Sequence, residues 1–174
     1  MTNMLQRALV TSALGRWLIP ASTLLAVGLV AVVITTLASA SPNADGVEMS
    51  LVPNALSLGV GSTAELTVQV DPNGVPDIAA AGFFLSFDAD VIQVIDVAHV
   101  NTPLSFPVGN PVIDNELGTA EFAAATFSPL PASQPDFSYA TVTVQLIATP
   151  PQGDTELVFQ YAPDGSKTGV TNPS

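Results

Sequence analysis

The chain has 174 residues, a length typical of one domain, and it contains no cysteine. All 15 acidic residues lie after position 40, and Lys167 is the single lysine or arginine there. Residues 41–174 therefore carry 1 − 15 = −14 net charges at neutral pH. This charge excludes nucleic acid and anionic lipid surfaces as partners, because both are bound through clustered Lys and Arg. The lack of cysteine excludes a disulfide framework, so a hydrophobic core has to hold the fold.

The first 40 residues have the pattern of an export segment. Arg7 and Arg16 precede an uncharged apolar run from Trp17 to Ala38, and Ala38-Ser39-Ala40 is a small-x-small site for a signal peptidase. We therefore predict an apolar signal-peptide helix over residues 1–40, cut after Ala40. The alternative is an uncleaved signal-anchor, since the run is about as long as the ~20 residues that span a bilayer. Both alternatives place the rest of the chain outside the cell or on its surface.

A short polar linker at residues 41–46 leads into a single predicted domain over residues 47–174. Its hydrophobic residues recur at a period of two, which is typical of strands with one buried face, and no sustained helical period occurs. The predicted strands are Val47–Val52, Ala55–Val60, Ala64–Val70, Ala79–Phe87, Val91–Val97, Pro111–Asp114, Thr119–Phe127, Tyr139–Ala148 and Glu156–Tyr161. Short strands between turns rich in Pro and Gly predict an all-β antiparallel sandwich with jelly-roll topology and about eight strands.

Candidate catalytic and metal-binding residues are few. His99 is the only histidine and no Gly-x-Ser-x-Gly elbow is present, so no Ser-His-Asp site is predicted. Asp88 and Asp90 could in principle cleave a glycosidic bond, but two short carboxylates at this spacing are more typical of a turn. The stretches Asp71–Asp77 and Asp88–Asp90 could offer oxygen ligands to calcium, yet neither has the spacing of an EF-hand loop. We therefore expect a non-enzyme without cofactor or metal site of its own.

The stretch from Asp77 to Ile95 resembles the third and fourth strands of cohesin domains, the modules of cellulosome scaffoldins. It reads Asp-Ile-Ala-Ala-Ala-Gly-Phe-Phe-Leu-Ser-Phe-Asp-Ala-Asp-Val-Ile-Gln-Val-Ile. The family pattern is Gly-Ile-Ala-x-x-x-Phe-x-Leu-x-Tyr-Asp-Pro-x-Val-Leu-x-Val. The segments Gly59–Val70, Gly118–Phe127 and Phe137–Val144 are similar to further strands of the family.

The resemblance implies a nine-stranded jelly roll that binds the calcium-loaded dockerin module of another protein, in assemblies for polysaccharide degradation. The calcium would then lie on the partner. Binding would use the outer face of one sheet, and by alternation six residues present that face: Ala80, Gly82, Phe84, Ser86, Glu121 and Ala123. Ala80 and Gly82 stand where well-known dockerin binders have an Asn and an Asp.

The end of the chain departs from the family pattern. Cohesin domains finish with a further strand that pairs with their first strand, whereas this chain ends Gly-Val-Thr-Asn-Pro-Ser at residues 169–174. We predict that the last strand is missing or reduced, which would leave an unpaired edge near Val47–Val52.

Two other functions compete with partner binding. Direct carbohydrate binding by a lectin-like module needs exposed Trp or Tyr rings to stack on sugars, and beyond the export segment the chain offers only Tyr139 and Tyr161. The other alternative is a structural remnant without a partner.

Overall fold

The computed structural model describes residues 32–35, 46–100, 103–161 and 168–171. These residues form strands and turns and contain no helix, so none of them belongs to a helix that could cross a membrane. Thirteen strands lie within these ranges: β1 (Val32–Thr35), β2 (Glu48–Val52), β3 (Ala55–Leu58), β4 (Thr63–Asp71), β5 (Ile78–Phe87), β6 (Ile92–His99), β7 (Phe106–Pro107), β8 (Val112–Asp114), β9 (Thr119–Leu130), β10 (Phe137–Leu146), β11 (Asp154–Thr155), β12 (Leu157–Phe159) and β13 (Gly169–Thr171).

Two sheets face each other across the core, which confirms the predicted all-β jelly-roll sandwich. The back sheet has the order β2-β4-β10-β6, and the front sheet has the order β12-β5-β9-β7, with β13 added to β5 and β8 added to β9. All pairings within these two sheets are antiparallel. A small third sheet, β11-β1-β3, lies beside them and includes one parallel pairing, between β1 and β11.

The period-two pattern produces the core. Along β4, Leu66, Val68 and Val70 are fully buried while the residues between them are partly exposed. The same alternation on β5 buries Ala81, Phe83 and Leu85. Each such large apolar side chain removed from water contributes about 1.5–3 kcal/mol, and this burial is what replaces disulfides in a chain without cysteine.

Aromatic rings join the two sheets at the centre of the core. Tyr139, on the back sheet, lies with its ring centroid 6.2 Å from that of Phe83 and 6.3 Å from that of Phe122, both on the front sheet. Phe83 also contacts Phe122 and Phe159 edgewise or tilted, with centroids 6.4 Å apart in each pair. Phe83 therefore connects β5 to the aromatic centre of the core.

The acidic corner after β5 is the predicted turn. The Asp88 side chain accepts a hydrogen bond from the backbone N–H of Asp90 at 3.0 Å, and the Asp88 carbonyl accepts from Val91 and Ile92. The Asp88 carboxylate therefore shapes the backbone, as short acidic side chains do in Asx turns.

The structure adds strands that the sequence pattern did not predict. Strands β7, β11 and β13 have only two or three residues each, too short for a period-two pattern to be recognised. The last strand among the described residues is β13, and it pairs with β5 of the front sheet. In the described residues β2 has β4 as its strand neighbour, and the prediction of a missing last strand beside Val47–Val52 remains a prediction.

The export segment differs from its predicted helix at the four residues where its backbone is described. Val32–Thr35 is extended and forms β1, pairing antiparallel with β3 and parallel with β11. A β-branched run of Val, Val, Ile and Thr favours the extended conformation, which explains the difference. The rest of the predicted helix, and the cleavage site at Ala40, lie outside the described residues.

Candidate functional site

The outer face of the front sheet is built by two neighbouring strands, β5 and β9. On β5 the residues that alternate with the buried ones are Ala80, Gly82, Phe84 and Ser86, and all four are partly exposed. On β9, Glu121 is exposed and Ala123 partly exposed. The six predicted residues therefore lie on one face, and their role in binding remains a prediction.

Antiparallel register arranges these residues in rows across the sheet. Ala80 lies opposite Ala125, and Gly82 lies opposite Ala123. The next rows pair Phe84 with Glu121 and Ser86 with Thr119. Directly opposite side chains on one face are only about 4.5–5.5 Å apart, so Phe84 and Glu121 form one contact unit at the centre of the face.

A shallow depression of about 310 Å³ lies over this centre. Its floor includes Gly82 and Ala123, and its rim includes the aromatic ring of Phe84. The opposite rim is formed by residues that the sequence analysis did not single out: Val108, Asn110 and Val112. Val112 pairs with Glu121 across β8 and β9, so the row continues from Phe84 through Glu121 to Val112.

The small residues of the face keep the depression open. A Cβ added at Gly82 would lie 3.4 Å from the Cβ of Ala123, which is ordinary contact, so the position accepts a small side chain at the expense of depth. The absence of a side chain at Gly82 and the single methyl group at Ala123 therefore leave the floor of the depression low.

Hydrogen bonds hold Phe84 at a fixed height on the face. The Thr168 hydroxyl accepts from the Phe84 N–H at 2.9 Å and donates to the Phe84 carbonyl at 3.2 Å. The Gln160 N–H donates to the same carbonyl at 2.8 Å, and its side-chain amide donates to the Ser86 hydroxyl at 2.7 Å. Thr168 is itself only 2% exposed. This edge of β5 is thus rigid, and no local pattern in the sequence marks Gln160 or Thr168 as its supports.

An exposed aromatic pair lies at the far end of the same face. The rings of Phe106 and Phe127 have centroids 4.2 Å apart, and Phe127 is 85% exposed. Phe106 pairs with Ala125, in the row that also contains Ala80. The face therefore carries exposed apolar surface at this end, in addition to the partly exposed Phe84 at its centre. The sequence signal was present in the alternation of β9, which continues to Phe127, but the aromatic partner Phe106 lies in a loop by sequence.

Glu121 is the one carboxylate in the central row. Its strand neighbours, Phe84 and Val112, are apolar. The described ranges contain no lysine or arginine at all, so no described cation neutralises this charge. The face therefore combines apolar surface with one negative charge.

The other candidate residues do not assemble a reactive site in the described part of the chain. His99 ends β6, where its Nε2–H donates to the Leu104 carbonyl at 2.7 Å and its ring packs against Phe122. The Asp71 side chain caps the backbone N–H of Asn73 at 2.8 Å. No group of three or more His, Cys, Asp or Glu that could hold a metal ion occurs among the described residues.

The two tyrosines are unsuited to stacking on sugars. Tyr139 is fully buried and Tyr161 is half-buried, and both hydroxyl groups are buried without a hydrogen-bond partner. Burial, with a smaller contribution from Tyr161, raises the pKa of Tyr139 well above its usual value. Burial, and secondarily the charge of Glu48, raises the pKa of Tyr161 to about 12. Neither ring offers the exposed platform that carbohydrate binding requires.

Comparison with known proteins finds solved structures that share this fold. No protein-family model matches the sequence, and no curated protein matches it significantly. Among solved structures, CaCohA2 from Clostridium acetobutylicum is 17% identical over 72% of this chain and 79% of its own, with a TM-score of 0.53. The second type II cohesin module of the adaptor scaffoldin ScaA from Acetivibrio cellulolyticus is 16% identical over 72% of this chain and 77% of its own, with a TM-score of 0.50. The described part of this chain therefore has the fold of a cohesin module.

Proposed function

We propose that this protein is a non-catalytic interaction module that binds a dockerin-like module of another protein through the outer face of its front sheet. The observation that carries the proposal is the depression beside Phe84 and Glu121, built on the face that the cohesin resemblance assigns to binding. The hydrogen bonds of Thr168 to the Phe84 backbone support it, because a strand that is already fixed loses little backbone entropy when a partner binds.

The chemistry of the face defines the partner more closely. Ala80 and Gly82 offer no side-chain hydrogen bonds, so a partner that relies on polar contacts there would leave groups buried and unpaired, at about 1–3 kcal/mol each. The partner we propose instead presents apolar side chains to the depression and a Lys or Arg to Glu121. Calcium, where it is needed, is bound by the partner.

The export segment and the negative charge support a location outside the cell. A chain with an apolar leader, no cysteine and a net charge of −14 beyond residue 40 fits a soluble module secreted or displayed outside the cell. In that setting the module would take part in a surface assembly linked to polysaccharide degradation. Contact with a membrane would occur only through an uncleaved N-terminal segment.

The test is a titration of purified type I and type II dockerin modules into the protein, first with calcium and then with chelator. Phe84→Asp introduces a charge at the centre of the face. Ile95→Asp is the matched control, because Ile95 is a 50% exposed apolar residue on β6 of the back sheet. We expect calcium-dependent binding that Phe84→Asp weakens at least 30-fold, the loss typical of a central contact residue, while Ile95→Asp leaves it unchanged.

Two results would contradict the proposal. Equal weakening by both variants would show that the contact lies elsewhere. A correctly folded protein that binds no dockerin in either condition would leave the structural remnant as the better explanation, and retention on insoluble polysaccharide would favour the carbohydrate-binding alternative.

A further inference from the structure

The third sheet depends on a strand from the export segment. Strands β3 and β11 are separated by almost a hundred residues, and neither pairs with any described strand other than β1. Val32–Thr35 lies between them, with Val32 opposite Leu58 and Ile34 opposite Leu56 on β3, and Ile34 beside Thr155 on β11. Without β1, these two segments would face each other across a gap one strand wide, about 10 Å from backbone to backbone.

The walls of this gap belong to the folded domain. Leu56 and Leu58 are partly buried and pack against the core, and Thr155 is one of the few buried polar residues, at 8% exposure. Backbone N–H and C=O groups beside a core need hydrogen-bond partners, and an empty gap would leave one edge of each wall unpaired. The gap is therefore a built site for an extended strand.

We propose that the gap between β3 and β11 is a strand-binding site whose occupant is the chain's own Val32–Thr35. The match is chemical as well as geometric, because a Val-Val-Ile-Thr run has high β propensity and no charge. Binding follows the logic of β-strand addition, in which main-chain hydrogen bonds to two free edges supply the affinity. This inference does not rest on the proposed dockerin binding.

The site gives the export segment two mutually exclusive positions. The apolar run from Trp17 to Ala38 is long enough to span a bilayer only if Val32–Thr35 is included. If Val32 and the residues after it are withdrawn, about 15 residues of the run remain. As a helix they are ~22 Å long, which is shorter than the ~30 Å hydrocarbon core. A segment seated on the domain is therefore withdrawn from the membrane, and a segment in the membrane leaves the site open. A cut after Ala40 turns the strand into a separable ligand.

Hydrogen exchange on the full chain tests the site. Ile34→Pro removes a backbone donor and is incompatible with a strand paired on both sides. Leu25→Pro is the matched control, the same change in the same apolar run outside β1. We expect amides of β3 and β11 to exchange at least 10-fold faster in Ile34→Pro and at the wild-type rate in Leu25→Pro. The amides of β4 and β10 report the global fold and should stay protected in both. Equal exchange at β3 in the two variants, with the core protected, would overturn the proposal.

If the amides of β4 and β10 also exchange faster in Ile34→Pro, the whole variant unfolds, and a second measurement is needed to test the strand-binding site. A specific protease site inserted after Ala40 allows the folded full chain to be cut, and gel filtration then shows whether residues 1–40 stay bound. Co-elution, with β3 still protected, supports the site. Separation of the fragment with unchanged exchange at β3 overturns it. Adding phosphatidylcholine vesicles to the uncut chain should raise exchange at β3, and continued protection in the membrane-inserted chain would refute the exclusive positions.

Discussion

Gly118 lies where β9 begins, beside the end of β5, and its replacement by alanine is the sharpest test of how the two strands of the candidate face are held together. The residue precedes β9 with a φ of +67°, and its carbonyl accepts a hydrogen bond from the Phe87 N–H at 2.9 Å. A Cβ built at this position would overlap the carbonyl oxygen of Phe87 at the end of β5. The backbone oxygen cannot rotate away as a side chain can, so one strand has to move.

The magnitude follows from three contributions. An alanine in the left-handed region costs about 1–2 kcal/mol. Loss of the hydrogen bond to Phe87 adds about 1 kcal/mol. Displacement of a packed strand to relieve the overlap adds about 1–3 kcal/mol, as overpacking does. We therefore expect Gly118→Ala to lower the free energy of unfolding by about 3–6 kcal/mol.

Gly61→Ala is the matched control. Gly61 also has a positive φ, +86°, but an added Cβ there meets nothing within 4 Å. Only the left-handed backbone contribution applies, so the expected loss is about 1–2 kcal/mol. Urea denaturation followed by circular dichroism measures both values. Equal losses in the two variants would refute the reasoning, because they would show that the contact with Phe87 costs nothing.

The remaining predictions concern the buried tyrosines and the missing polar groups of the face. Tyr139→Phe removes a buried hydroxyl that has no hydrogen-bond partner. We therefore expect the free energy of unfolding at pH 7, measured by urea denaturation, to stay unchanged or to rise by up to about 1 kcal/mol. A loss of more than about 1 kcal/mol would show that the hydroxyl does have a stabilising partner. Burial raises the pKa of both tyrosines in the folded state, so only the unfolded chain ionises near pH 10; stability should therefore be intact below pH 10 and fall as the pH rises toward 12. Tyr139→Phe should flatten that alkaline decline, and an unchanged slope would rule out Tyr139 as its source. The double variant Ala80→Asn, Gly82→Asp places polar side chains on the partly exposed face, where a Cβ at Gly82 meets its neighbours at ordinary contact distance. It should strengthen the binding of polar-contact dockerins, measured by calorimetry, by at least 10-fold while the melting temperature stays within a few degrees. Unchanged affinity would show that these positions lie outside the contact.

The sequence alone determined the sandwich and the direction in which the face residues point. Alternation over most of β4, β5 and β10 has a single solution once one side must be buried, since a slip by one residue would expose the core side chains. The same period placed Ala80, Gly82, Phe84 and Ser86 outward, and alternation along β9 did so for Glu121 and Ala123. The Asx turn at Asp88 was also readable, because its hydrogen bonds join neighbours in the chain.

Tertiary structure alone decided everything that depends on contacts between distant residues. The depression brings Val108 and Val112 beside Phe84, Thr168 supports Phe84, and Phe106 packs against Phe127. Each of these contacts joins residues that are far apart in the chain. The same holds for β1: its β-branched run favours an extended backbone, but the strands with which it pairs, β3 and β11, come from distant parts of the chain. Local patterns record which side of a strand is buried. Which strand lies next to which depends on long-range packing and register, and those become visible only in the folded chain.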